Sequence, residues 1–364
     1  MIGKIIRDLP PSPHNNRNSE GAFIELNDGK ILFVYSRYAD GGCDDGAAAD
    51  LYGMISDDNG DSFGEPFPVL KHGDISAENV MSVSFLRMQN GDIGLFFLQK
   101  TNVDQCICYL MRSSDEAKSW SEPVRCIEDS GYFVVNNDRI IRLENGRILI
   151  PAAYHKIHCK INDKGEKYIH TLEAGILTIF ASDDDGYTWK KIAEDITIPR
   201  SRGCTTGVHE PGLIQLEDGK IWCIIRNDSG KQYECFSEDN GESWTQPAPS
   251  QFYSPVSPLS FKHLYDGRIL AVWNPIPIYN GRASVYGGAW TGARTPLVAA
   301  LSFDDGKKFT IPTVIENKDD HGYCYVAIHE TNDKHVLLAY CAGGPRDGST
   351  LNRLRIKKIH IDEI

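Results

Sequence analysis

The sequence predicts an all-β chain: a six-bladed β-propeller of four-stranded antiparallel blades, with residues 1–364 forming one domain. Three observations predict it. A short acidic box recurs five times, six β-hairpins interleave with the boxes, and helical periodicity is weak throughout.

The boxes are SDDNGDSF (Ser56–Phe63), SSDEAKSW (Ser113–Trp120), SDDDGYTW (Ser182–Trp189), SEDNGESW (Ser237–Trp244) and SFDDGKKF (Ser302–Phe309). Their skeleton is Ser-x-Asp-x-Gly-x-x-aromatic, with Ala117 replacing glycine in the second, and their starts are 57, 69, 55 and 65 residues apart. Repeats of that period mark stacked or radial architectures. The Ser and Asp suit bonds to local amides, glycine permits positive φ, and the aromatic fills the space between blades. Only one acid is common to every box (Asp58, Asp115, Asp184, Asp239, Asp304), too few for a calcium cage. The boxes are therefore read as structural turns.

The hairpins are IELNDGKILFVY, LRMQNGDIGLFF, IIRLENGRILIP, LIQLEDGKIWCI, FKHLYDGRILAV and HETNDKHVLLAY. Asp-Gly or Asn-Gly between β-rich runs is a strong hairpin signal, and only the last departs from it, with Lys334 after Asp333. Four-stranded sheets repeated radially leave only short edges exposed.

Composition narrows the function. A net charge of −12 argues against nucleic-acid and anionic-membrane partners. No apolar run approaches the length of a membrane span. The opening MIGKIIRDLPPSP lacks a signal-peptide core, and ten scattered cysteines read as reduced thiols, so a cytoplasmic location is expected. No cofactor or metal is implied. YHKIHC places His155, His158 and Cys159 at a spacing that suits zinc, but no second ligand cluster accompanies it. Oligomeric state stays open.

The hairpins supply a ruler. Eight positions before each turn Asp or Asn stand Glu20, Ser82, Asn137, Glu210, Pro258 and Tyr325, expected at equivalent places near the start of each innermost strand. Eight or nine positions after the turn, the next strand delivers Arg37, Arg226 and Asn274 toward the same rim. Two carboxylates, a tyrosine and two arginines thus gather on one face. The loop NPIPIYNGRASVYGGAW adds Tyr279, Arg282, Tyr286 and Trp290 as candidate aromatic platforms and polar contacts.

The acidic box resembles the Asp-box of the sialidase superfamily, whose six-bladed propeller keeps these boxes away from the active site. Tyr325 in GYCYVAI looks like that family's nucleophilic tyrosine, favoured over Tyr323, and Glu210 in HEPGLIQ resembles its acidic partner. Arg226 in CIIRND and Arg294 in GARTPLVAALSFDDG resemble two of the three arginines that hold the substrate carboxylate. Asp44 and Asp45, in YADGGCDDGAAADLYG, match the loop carrying the acid/base aspartate, with Asp45 favoured. Arg37 resembles a further basic residue beside that loop, and His209 is a candidate substrate contact or acid/base group.

Chemistry explains these residue types. An anionic nucleophile is repelled by a carboxylate on the anomeric carbon, whereas a tyrosine deprotonated as it attacks is not, which sets sialidases apart from two-carboxylate glycosidases. Arginine binds a carboxylate through two parallel hydrogen bonds. The sequence departs from the family at Ser19, where the third arginine falls; Arg17 or Arg37 is expected to substitute, and Glu20 beside it disfavours a substrate carboxylate. The resemblance implies a retaining exo-glycosidase releasing a terminal sialic acid or related acidic sugar. A uronate handled by hydrolysis or elimination, or a non-catalytic carbohydrate-binding propeller, is the alternative.

Overall fold

The computed structural model describes residues 2–39, 42–201, 203–278 and 281–364. The chain is all-β, with 3-10 turns as its only helical elements among the described residues. Four sheets are four-stranded and antiparallel, and each takes its strands in sequence order except the last. There the N-terminal strand Lys4–Leu9 pairs with the C-terminal strand Leu354–His360, so the two ends of the chain share one sheet. Two further units merge into a nine-stranded sheet through one parallel contact, Tyr132 beside Cys106.

Each unit packs on its neighbour through an apolar layer, and the last packs on the first. Phe23, Phe33 and Tyr35 of the first sheet meet Ala327, Leu337 and Leu354 of the last, while Leu264 and Val272 meet Tyr323 and Leu338. The box aromatics Phe63, Trp120, Trp189, Trp244 and Phe309 each join one of these inter-sheet layers. All ten cysteines are free thiols, and eight are buried.

The boxes behave as their sequence dictates. In all five, the serine Oγ donates to the aspartate Oδ1 at 2.8 or 2.9 Å and accepts from the backbone N–H four residues on, at 2.7 to 2.9 Å. The fifth residue of each box is left-handed, including Ala117 at φ 64°. Each box aspartate is thus engaged by the serine and backbone donors of its own turn.

The hairpin turns carry left-handed glycines at Gly29, Gly91, Gly146, Gly219 and Gly267; Lys334 takes the same conformation at φ 61°. Beyond them, the inner strands Arg17–Glu25, Asn79–Arg87, His209–Gln215 and Cys324–Glu330 each lose register with their partner at one bulge. Glu20, Ser82, Glu210 and Tyr325 occupy those bulges, with φ of 55°, 58°, 42° and 58°. Left-handed backbone costs a non-glycine residue about 1–2 kcal/mol, so the fold holds four bulky or polar side chains in strained positions. In the third unit the inner strand is broken into Tyr132–Val134 and Ile141–Arg142, and the left-handed residue is Asp138, not Asn137. Pro258 cannot adopt positive φ, and it precedes its strand Ser260–His263.

Candidate functional site

The bulges at Glu210 and Tyr325 bring together side chains from two inner strands. Tyr325 Oη donates to Glu210 Oε1 at 3.0 Å. Arg226, at the end of Ile221–Arg226, donates Nη1 to the same carboxylate oxygen at 2.5 Å and to Tyr325 Oη at 3.3 Å. Burial raises the Glu210 carboxyl, but Arg226 outweighs it and holds the group below its ordinary value. Burial, reinforced by the Glu210 charge, pushes the Tyr325 phenol well up, although Arg226 and Arg294 pull the other way. The phenol is therefore neutral and needs a base, and the neighbouring arginines do not bring its pKa below the ordinary value.

Arg294 reaches the site from the loop before Leu297–Ser302. Its guanidinium lies 5.5 Å from the centre of the Tyr325 ring and 4.7 Å from that of Trp290. Its donors go to Val256 O and Cys324 Sγ, and no carboxylate pairs with it among the described residues. Tyr323 lies away from this group, packed against Tyr340.

A second group adjoins the first. Arg17 stacks on Tyr38 and donates to Ser19 Oγ at 2.9 Å, Glu20 Oε2 at 2.9 Å and Asp45 Oδ1 at 2.7 Å. Glu20 is buried, and burial, with the charges of Asp45 and Glu210 beside it, raises its carboxyl despite Arg17. The Asp45 side chain is more than half exposed in the free protein; crowding by its neighbours tends to raise its carboxyl, but Arg17 and Lys100 keep it below the usual range. Lys100 Nζ donates to Asp45 O at 2.5 Å, and Asn79 holds Ala47 O, so the loop is tied to the second unit.

Two expected residues do not join. Arg37 lies 4.4 Å over the Tyr52 ring; it stands one residue out of step with Tyr38, so strand alternation sends it to the opposite face from Arg17. Asp44 accepts from Gly46 N at 2.8 Å and is an exposed turn acid. Between Arg17 and Arg37, Arg17 is the one beside Glu20. Asn274 binds Ser257 and Pro296 O within its own loop region.

His209 meets His155 edge-to-face at 4.7 Å, and burial with Arg226 nearby lowers its pKa to about 3, so it is neutral. His158 pairs with Glu173 Oε1 at 2.6 Å, and His155 Nδ1 faces the backbone O of the same residue at 3.3 Å. Trp290 is half-exposed against Arg294, Tyr286 sits in a two-residue strand, Arg282 pairs with Asp319, and Tyr279 lies outside the described residues. Sequence reasoning missed Lys100. It stands ten residues after the turn residue Asn90, just beyond the window that picked out Arg226.

An all-β chain of repeated four-stranded sheets, with a tyrosine–glutamate pair bridged by arginine where the inner strands bulge, defines a sialidase-like protein. The chain belongs to the BNR repeat-like domain family, whose model matches residues 76–338. It is 24% identical over 269 residues to the anhydrosialidase of Macrobdella decora, a match covering 68% of this chain and 30% of that protein. The NanB sialidase of Streptococcus pneumoniae superimposes with a TM-score of 0.72 at 15% identity, over 100% of this chain and 71% of that one. A Dyadobacter fermentans protein of unknown function does so with a TM-score of 0.72 at 16% identity, over 98% and 99%. At such identities the solved structures share the fold with this chain.

Proposed function

We propose that the chain is a retaining glycoside hydrolase of the sialidase type, its six units closed into one six-bladed propeller domain. The observation that carries this reading is the hydrogen bond from Tyr325 Oη to Glu210 Oε1, bridged by Arg226. Tyr325 attacks the anomeric carbon of a terminal acidic sugar while its proton passes to Glu210, and the bond to the aglycone oxygen breaks. Arg226 and Arg294 hold the sugar carboxylate. Asp45 protonates the departing oxygen once it has taken up a proton. It then removes a proton from the water that displaces Tyr325, and Glu210 returns its proton to the phenol. A neutral phenol paired with an ionised carboxylate suits this sequence, since the charge on the nucleophile develops only as it attacks.

The test is a screen of aryl glycosides of sialic acid and related acidic sugars with the wild type and Tyr325→Phe. Turnover that depends on Tyr325 supports the reading. Turnover unchanged by the substitution removes the tyrosine mechanism. Binding without turnover of any member leaves a carbohydrate-binding protein instead.

A further inference from the structure

Arg17, Arg226 and Arg294 are not equally compensated in charge. Arg17 and Arg294 are 1% and 2% exposed and every nitrogen of each has a partner within the chain, so charge is what separates them. Arg17 has Nε on Ser19, Nη1 on Cys43 O and Asp45 and Nη2 on Glu20, whereas the partners of Arg294 are the neutral Val256 O and Cys324 Sγ. Two carboxylates balance the charge of Arg17. Arg226 shares one carboxylate, that of Glu210, and its buried Nε has no partner among the described residues. Arg294 has no carboxylate among the described residues. The uncompensated positive charge therefore lies on the Arg226–Arg294 side of the tyrosine.

Glu20 sets this division. Its Oε2 accepts from both Arg17 and Ser19, whereas among the described residues Oε1 has only Ser82 Oγ, at 3.5 Å. The bulge at φ 55° places this carboxyl where it feels both Asp45 and Glu210, between the two groups of the site. A carboxylate ligand approaching Arg17 meets Glu20 and Asp45 first, and both repel it.

We propose that Glu20 is a specificity-determining residue, which withholds Arg17 from anions and presents Oε1 to a sugar hydroxyl. The preferred substrate is then a monoanionic sugar gripped by Arg226 and Arg294 alone, with a neutral hydroxylated side against Glu20. This rests on the glycosidase reading of the site.

The experiment measures equilibrium binding of the unsaturated sialic-acid analogue DANA and of its uncharged methyl ester. The proteins are the wild type, Glu20→Gln and Glu20→Ala. Freeing Arg17 Nη2 from its carboxylate raises the affinity for DANA by about tenfold in Glu20→Gln, and raises DANA relative to the ester in both variants. The methyl ester gains in neither variant, and in Glu20→Ala, where its hydroxyl loses an acceptor, it binds about tenfold more weakly. DANA affinity that is unchanged or lower in both variants, with the ester still bound, overturns the role of Glu20. Failure of all three proteins to bind either ligand overturns the reading of the site itself, and the proposal with it.

Discussion

Tyr325 and Glu210 lie 115 residues apart, yet their side chains meet in a 3.0 Å hydrogen bond because both occupy left-handed bulges on inner strands. The strain is local and the geometry it secures is chemical. A proton donor and a held base face each other before any ligand arrives.

Replacing Glu210 with glutamine removes the base and leaves the shape. The account expects kcat/KM to fall by roughly 10²–10⁴. It also expects activity in the wild type to persist below the ordinary glutamate value of 4.5, because Arg226 keeps Glu210 ionised there. Activity is lost as pH falls through the lowered pKa, and Arg226→Lys moves that limb upward. A pH–rate series on the three proteins reads both effects.

Asp45 is ionised in the free protein, so its first readiness is as a base. With an activated aryl glycoside, whose leaving group needs no proton, Asp45→Asn is expected to lower kcat/KM by less than about tenfold. The same variant lowers kcat by about a hundredfold, with a burst of released phenol as the glycosyl-enzyme accumulates. Equal losses in both parameters, without a burst, count against Asp45 in the second step.

Ala117 sits in left-handed backbone where the other four boxes carry glycine. Ala117→Gly is expected to stabilise the fold by about 1 kcal/mol and leave turnover unchanged. Asp239→Ala, which removes acceptors for Ser237, Ser243 N and Ser243 Oγ, is expected to cost about 1–3 kcal/mol with the same unchanged turnover. Denaturant midpoints and a steady-state assay check the pair.

His209 and His329 are both held neutral, burial lowering each to a pKa of about 3. The unfolded chain binds their protons near 6.5, so their contribution is fully present above that pH. It is lost progressively as pH falls toward 3. The unfolding midpoint is expected to drop between pH 6.5 and pH 4, and His329→Gln to make that drop shallower. An unchanged slope in the variant contradicts the assignment.

The sheet-by-sheet division was legible because turn chemistry is local: Asp-Gly, Asn-Gly and the Ser–Asp box declare themselves within a few residues. The ruler found Glu20, Ser82, Glu210 and Tyr325 because each bulge lies at a fixed distance from its hairpin. It slipped by one at Asn137, where the inner strand is broken, and found nothing at Pro258, which cannot bulge in this way. Arg37 and Asp44 misled because side-chain direction depends on strand parity and loop conformation, which spacing alone does not encode. Lys100 escaped because its strand runs longer before reaching the rim. The exposed hairpin Ile157–Ile161 with Lys167–Leu172, which carries His158, left no signal in the repeats.

The central claim is that Tyr325 forms the covalent bond to the sugar. Its most direct measurement is the mass of the intact protein, then of its peptides, after incubation with a fluorinated sialic-acid analogue that traps a glycosyl-enzyme. The account predicts one sugar per chain on the peptide containing Tyr325, absent in Tyr325→Phe. A label on Glu210 or Asp45, or turnover of an aryl sialoside by Tyr325→Phe at the wild-type rate, would contradict it.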